Sequence, residues 1–145
     1  MVHYNALIRT HHITSRKKVS ALKRAADSLN VFALLRSGGC PGIMYVEAKD
    51  KDAVESWVSA VKNLRYKDFQ LVARPACAVV DGQEVSEGAG KGKRTDSRGK
   101  NGIGNGKEEN LGIGLEEVDS VKEFGTLMEQ RGVWQWWRKG MGYVH

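Results

Sequence analysis

The sequence predicts an α+β fold, and three observations support that prediction. Short runs rich in β-branched and aromatic residues alternate with two stretches whose apolar residues recur every three or four positions. A cluster of turn-forming residues at 37–42 separates the two central runs, Val31–Leu35 and Ile43–Ala48. At 145 residues, the chain is long enough to bury a core without disulfide bonds. We therefore expect one main domain organised around these two adjacent strands.

The first strand and the first helix precede this pair. Ala6–Ile13 mixes β-branched and polar residues, which is typical of a strand. The hydroxyl of Thr14 or Ser15 can accept a hydrogen bond from the free amides of a helix that runs to about Leu29. One face of that helix is apolar because five residues recur at helical spacing: Val19, Leu22, Ala25, Ala26 and Leu29.

A second helix and a fourth strand follow the pair. Acidic residues at 50 and 52 open the helix, and Phe69–Ala73 forms a strand that extends to Arg74 and stops at Pro75. The resulting order, βαββαβ, is the split βαβ or ferredoxin-like arrangement. It predicts an antiparallel sheet of order 4-1-3-2 with both helices on one face. The other face would be open, and Val31–Leu35 would lie at an edge.

The rest of the chain divides into two segments that follow a core of residues 1–80. Residues 81–114 are rich in Gly and Lys and poor in large apolar residues, so we expect a disordered insert. Residues 115–145 are expected to form a C-terminal helical extension that docks on the core. Ser120 and Glu123 fit a capping box, and at least one of the tryptophans at 134, 136 and 137 should anchor the extension.

Charge and cysteine content narrow the classes of function. Residues 1–80 hold 13 basic and 6 acidic side chains, whereas the rest of the chain is nearly balanced. A basic folded domain favours an anionic partner, with nucleic acid ahead of a membrane surface. Cys40 and Cys77 cannot form a disulfide framework, and no stretch is apolar for long enough to span a membrane. We expect a soluble intracellular protein, nuclear or cytoplasmic.

The start of the first helix carries an unusual charge pattern. Arg16, Lys17 and Lys18 lie in the first turn, where the helix dipole disfavours each cation by about 0.3–1 kcal/mol. One interpretation is a basic helix end that faces phosphate groups. The other is a surface cluster that the fold tolerates. The sequence leaves both open.

The sequence offers little support for catalysis or for a metal. His12-Ile13-Thr14 matches the His-x-Thr unit of the two-histidine phosphoesterases, but no second unit supplies the partner histidine for acid–base chemistry. Adjacent His11 and His12 should point to opposite faces of a strand. The cysteines do not lie at zinc-site spacing from any histidine. We expect a non-enzyme with no cofactor and no metal.

Several short motifs, taken in order, resemble one known family. They begin with two histidines at the end of the first strand and continue through a basic helix start, a turn and a helix containing Trp57. The matching segments are His11-His12-Ile13, Arg16-Lys17-Lys18, Gly39-Cys40-Pro41-Gly42, Ile43–Glu47, Leu64-Arg65-Tyr66-Lys67 and the tail from Phe124 to Tyr143. Together they resemble the C-terminal domain of pre-mRNA-processing factor three, in the version found after RWD domains.

The resemblance implies a ferredoxin-like fold and an RNA-binding role, because the domain in the splicing factor binds small nuclear RNA at a junction of duplex and single strand. The chain departs from the family at Cys40, where members often carry Lys. That departure removes a cation from the turn and weakens the expectation of an RNA contact there.

Two functions remain open at this point. In the first, RNA binds a basic face that includes the open side of the sheet. Alternate residues 44, 46 and 48 are apolar and should face the helices, so Tyr45 and Lys49 would face outward, although Glu47 there would repel phosphate. The candidate RNA-binding residues are Arg9, His11, His12, Arg16, Lys17, Lys18, Tyr45, Lys49 and Arg74. In the second, the chain is a protein-interaction module of an RWD-type adaptor that binds a partner through its C-terminal tryptophans.

Overall fold

The structure is a computed structural model that describes residues 3–78 and 113–142, and the predicted insert lies almost entirely outside these residues. Within them, the strands are β1 (Tyr4–Thr10), β2 (Phe32–Arg36), β3 (Gly42–Ala48), β4 (Gln70–Cys77) and β5 (Gly114–Val118). The helices are α1 (Arg16–Leu29), α2 (Lys51–Asn63), α3 (Val121–Gln130) and α4 (Trp134–Met141).

The described strands form one sheet of order β4-β1-β3-β2-β5. Strand β1 lies between β4 and β3, and β2 pairs with β3, all antiparallel. The first four strands therefore have the predicted 4-1-3-2 order, and the predicted α+β fold with a ferredoxin-like core is confirmed.

Strand β5 was not expected, because residues 115–145 were predicted to be helical. It pairs in parallel with β2, from Phe32 opposite Gly114 to Arg36 opposite Val118. The prediction that β2 lies at an edge is therefore wrong. The segment Gly-Leu-Glu-Glu-Val has little intrinsic strand preference, so pairing with a buried neighbour overrides local propensity here.

Helices α1 and α2 pack on one face of the sheet. The side chain of Ser15 accepts a hydrogen bond from the Lys18 amide and caps α1, and Asp50 caps α2 in the same way. Trp57 is fully buried between the helices, and its indole N–H donates to the Leu22 carbonyl at 3.2 Å. This face contains the alternate β3 residues predicted for it, Met44, Val46 and Ala48.

Helices α3 and α4 cover the opposite face, so the prediction that this face is open is wrong. Four large side chains from the two helices are buried against the sheet: Phe124, Met128, Trp137 and Met141. Each contributes about 1.5–3 kcal/mol on burial, so exposing this face would cost several kcal/mol. The sheet residues that they cover include Leu7, Leu34, Ile43 and Tyr45.

The C-terminal extension packs on the sheet at several points. Ser120 and Glu123 form the expected capping box at the start of α3. Trp137 is buried and stacks on Phe124, with ring centres 5.7 Å apart. Trp136 meets the ring of Tyr45 edge-on at 5.7 Å. The tryptophans therefore pack mainly against the protein itself.

An ion pair joins the extension to the centre of the sheet. Arg131, at the end of α3, donates two hydrogen bonds to the Glu47 carboxylate, at 3.1 and 2.8 Å. The Tyr45 hydroxyl donates to the same carboxylate at 2.6 Å. The Arg131 guanidinium also lies over the ring of Phe32, 3.8 Å from its centre. Glu47 therefore has a protein partner and does not face a solvent-exposed RNA surface.

The surroundings of Glu47 and Tyr45 shift the pKa values of both groups. Burial alone would raise the pKa of Glu47, but the hydrogen bonds and the charge of Arg131 outweigh burial and lower that pKa below its ordinary value. Burial, together with the Glu47 charge, raises the pKa of Tyr45 well above its ordinary value. The carboxylate is therefore ionised, and the phenol stays protonated and donates to it.

Breaking the pair from one side should destabilise the fold strongly. The two side chains are only 16% and 14% exposed, so Arg131→Met leaves a carboxylate that water reaches poorly. We expect a loss of about 3 kcal/mol in the free energy of unfolding, measured with urea and tryptophan fluorescence. Arg16→Met, which breaks an exposed pair, should cost much less. Equal losses in the two variants would contradict this assignment.

The lowered pKa of Glu47 also predicts how stability depends on pH. A carboxylate with a lowered folded-state pKa stabilises the fold above its unfolded pKa, near 4.5. That contribution is lost as the pH falls through the folded-state pKa. Between pH 7 and pH 3, the free energy of unfolding of the wild type should therefore fall more steeply than that of Glu47→Gln. Parallel curves for the two proteins would contradict the prediction.

Candidate functional site

The end of β1 brings two histidines and a cysteine together. Thr10, the last residue of β1, lies opposite Gly42, the first residue of β3, so the preceding turn passes beside the residues that follow β1. The Cys40 sulfur lies 3.7 Å from Nδ1 of His11. The rings of His11 and His12 are 4.4 Å apart at 82°. One side-chain donor atom from each of these three residues lies within 4.8 Å of the other two.

The two histidines do not point to opposite faces, which corrects the prediction from strand alternation. Strand β1 ends at Thr10, and the chain bends at His11. The alternation of side chains applies only within a pleated strand, so it no longer separates His11 from His12. Spacing along the sequence gave no sign of the cluster because His11 and Cys40 are brought together by strand pairing.

Backbone hydrogen bonds hold these segments in place. The His11 amide donates to the Lys67 carbonyl at 3.0 Å, and the His11 carbonyl accepts from the Gly42 amide at 2.9 Å. Glycine at 42 permits this close approach, because a Cβ atom there would lie 2.5 Å from Oγ1 of Thr10. Arg36 donates to the carbonyl of Pro41 at 2.9 Å and steadies the turn. Hydrogen bonds therefore hold the backbone of the segments that carry these three side chains.

A cavity of about 500 Å³ opens beside the cluster. Thr10 contributes a buried hydroxyl that has no hydrogen-bond partner within the described residues. Phe69, which is half-buried, supplies an aromatic side chain. The lining residues are Arg9, Thr10, His11, Cys40, Pro41, Asp68, Phe69 and Gln70.

Arg9 lines this cavity, and four further cations lie on the two segments next to the end of β1, namely the start of α1 and the turn after α2. We call these cations the basic rim: Arg9, Lys17, Lys18, Arg65 and Lys67. The Lys18 ammonium lies 5.0 Å from the ring centre of Tyr66, which joins the start of α1 to the turn after α2. The backbone bond between His11 and Lys67 joins that same turn to the end of β1. Lys17, Arg65 and Lys67 are exposed, and none of the rim cations is in an ion pair among the described residues.

Tyr66 provides a rigid support for the rim. Its side chain is buried, and burial raises the pKa of its hydroxyl to about 12. The ring therefore stays neutral and offers its face to Lys18. Among the described residues, Asp68 is the one carboxylate that lines the cavity, with an oxygen 3.6 Å from Nδ1 of His11.

Arg16 does not join the rim as a free cation. It donates two hydrogen bonds to Glu117 of β5, at 3.1 and 2.7 Å, and Ser37 donates a third to the same carboxylate. The hydrogen bonds from Arg16 lower the pKa of Glu117. The expected cluster of three free cations in the first turn of α1 is thus reduced to Lys17 and Lys18.

The remaining predicted residues do not assemble with the rim. Tyr45 is fully buried under the C-terminal helices, so its predicted role as an exposed stacking surface is wrong. Lys49 is exposed just after β3, at the end of the strand away from the histidines. Arg74 is exposed in the middle of β4. Neither residue lines the cavity.

Sequence reasoning missed Arg65, Lys67 and Asp68, and it did not pair Cys40 with the histidines. The segment Leu64-Arg65-Tyr66-Lys67 was noted only for its resemblance to a family, and no role was predicted for its cations. A usable signal was available in the antiparallel pairing of the first and third strands. That pairing places the residues after β1 beside the turn before β3, so histidine and cysteine must meet there.

Comparisons with known proteins do not identify the chain. No family model matches it, and no curated protein is similar enough to count as a match. Among the helices in residues 3–78 and 113–142, none has the length and apolar character needed to cross a membrane.

Proposed function

We propose that this chain is a non-catalytic RNA-binding module that binds structured or single-stranded RNA through the basic rim. Membership of the family of the pre-mRNA-processing factor three C-terminal domain is part of the proposal, and it would make a small nuclear RNA a candidate ligand. The observation that carries the proposal is that five cations, none of them in an ion pair among the described residues, lie on three segments that are in contact near the end of β1, where Arg9 lines the cavity.

The arrangement suits a nucleic acid better than a small anion. The rim cations come from three separate parts of the chain, so together they match a backbone of several phosphates. The cavity adds Phe69, whose ring could stack on an unpaired base, and Gln70 and His11, which can hydrogen-bond to base edges. RNA recognition commonly combines phosphate contacts with an exposed base in this way.

The same surface gives catalysis little support. His11 and His12 are adjacent, but phosphodiester chemistry by two histidines needs an acid and a base on either side of the substrate. Their rings lie only 4.4 Å apart, beside Cys40. We therefore keep the proposal to binding.

A protein-interaction module is the alternative, and the tryptophans were its predicted contact. Trp137 is buried against the sheet, and Trp136 packs on Tyr45. These two side chains therefore make their contacts within the chain, and less of the segment is available to a partner. A stoichiometric protein partner that survives nuclease treatment would favour the alternative. If nuclease treatment removes the partner together with the nucleic acid, the result would favour RNA binding.

The proposal predicts strongly salt-dependent RNA binding. Five rim cations that contact phosphates give a slope of log affinity against log salt of about −3.5 for a single strand. The measurement is fluorescence anisotropy with a labelled RNA hairpin that carries a single-stranded tail, at several salt concentrations and with a chelator present. Affinity that does not change with salt would contradict the proposal.

Single charge removals should locate the RNA on the rim. Lys17→Gln and Lys67→Gln should each weaken binding and make the salt slope shallower by about 0.7, because each removes one phosphate contact. Lys122→Gln is the matched control, since Lys122 is exposed on α3, across the sheet from α1. The control should bind RNA like the wild type. Equal effects of all three substitutions would mean that RNA responds only to net charge.

A further inference from the structure

We propose that His11, His12 and Cys40 bind a divalent metal ion of the zinc class. This inference does not rest on RNA binding. It starts from the three donor atoms that strand pairing brings within 4.8 Å of one another at the end of β1.

The donor set selects the type of ion. Two imidazoles and one thiolate are the ligands that Zn²⁺ and its analogue Co²⁺ prefer, and hard cations such as Mg²⁺ and Ca²⁺ prefer oxygen instead. Zn–N distances of about 2.0–2.1 Å and a Zn–S distance of about 2.3 Å put tetrahedral ligand atoms roughly 3.3–3.6 Å apart. The separation of 3.7 Å between the Cys40 sulfur and Nδ1 of His11 is already close to that range.

The positions of the donors make them accessible and anchored. His12 and Cys40 are exposed, and His11 is half-buried. The His11 backbone is hydrogen-bonded on both sides, to Lys67 and to Gly42. The three donor atoms lie within 4.8 Å of one another, so small rotations of the exposed side chains are enough for all three to contact one ion.

Nearby negative charge and the open cavity both favour a bound ion at this site. The rim cations oppose a bound ion, whereas the Cys40 thiolate and the Asp68 carboxylate provide negative charge beside it. Asp68 lies 3.6 Å from Nδ1 of His11, the nitrogen that would ligate the ion, and we assign it a supporting role in which its negative charge stabilises the bound cation. The open cavity gives a water molecule access to the ion. A zinc ion with three protein ligands keeps one coordination position open, and water or another ligand can bind there.

Cobalt titration of the full chain tests the site without any RNA. The protein is first stripped of metal with a chelator. Co²⁺ should then bind with one equivalent per chain, give a thiolate-to-cobalt charge-transfer band, and be displaced by Zn²⁺. Cys40→Ser should abolish the band. Asp68→Asn should keep the band and weaken binding about 10-fold, the size expected of a group that supports a ligand.

Matched controls separate this site from adventitious binding. Cys77 pairs in register with Tyr4, at the other end of β1 and about 20 Å from Thr10 at the usual rise per residue. Cys77→Ser and His3→Ala should therefore leave the band and the affinity unchanged. His12→Ala should weaken binding at least about 100-fold, since it removes a direct ligand. A band that survives Cys40→Ser, or no band in the wild type, would overturn the proposal.

A second measurement uses only the wild-type chain, so a folding defect cannot confuse it. Both cysteines are exposed and free. Zn²⁺ should slow the alkylation of Cys40 by iodoacetamide and leave that of Cys77 unchanged, as read by mass spectrometry of the two peptides. Equal alkylation rates with and without Zn²⁺ would overturn the metal site. Because RNA binding is measured with a chelator present, either proposal can fail while the other stands.

Discussion

The ion pair between Arg131 and Glu47 determines which surfaces this fold exposes. The two residues are 84 positions apart, and their hydrogen bonds hold the C-terminal helices against the central strand β3. With Tyr45 donating to the same carboxylate, the polar atoms at the centre of this face are satisfied within the protein. The apolar side chains around them can then pack without leaving a buried charge unpaired. The sheet is consequently covered on both faces.

Because α3 and α4 cover the second face of the sheet, the candidate site lies at one end of the sheet. Ferredoxin-like domains that bind RNA on an open sheet need exposed aromatic residues there, and here Tyr45 is buried. What stays accessible is the junction of the end of β1, the start of α1 and the turn after α2. Cations lie on all three segments, and the thiol and the two imidazoles come together at the end of β1. One end of the fold thus carries both proposed activities.

Local patterns in the sequence were enough to predict the core and part of the site. The spacing of Val19, Leu22 and Ala26 identified a helix, and the breakers before Ile43 identified the central pair of strands. Strand β5 was missed because Glu116 and Glu117 give no strand signal, and only pairing with β2 makes the segment extended. The predicted docking of the C-terminal extension did not specify which face of the sheet the extension covers. Cys40 and Lys67 were missed because long-range pairing, which spacing cannot reveal, brings them beside His11.

In the proposed function, RNA binds at the basic rim and not on the sheet. Backbone amide shifts in two-dimensional NMR spectra test it directly, with a tailed RNA hairpin titrated into the ¹⁵N-labelled chain. We expect the largest changes at His11, Lys17 and Lys67, and no change at the amides of Tyr45 and Arg131. Changes concentrated on α3 and α4, or no changes with RNA in excess, would contradict it.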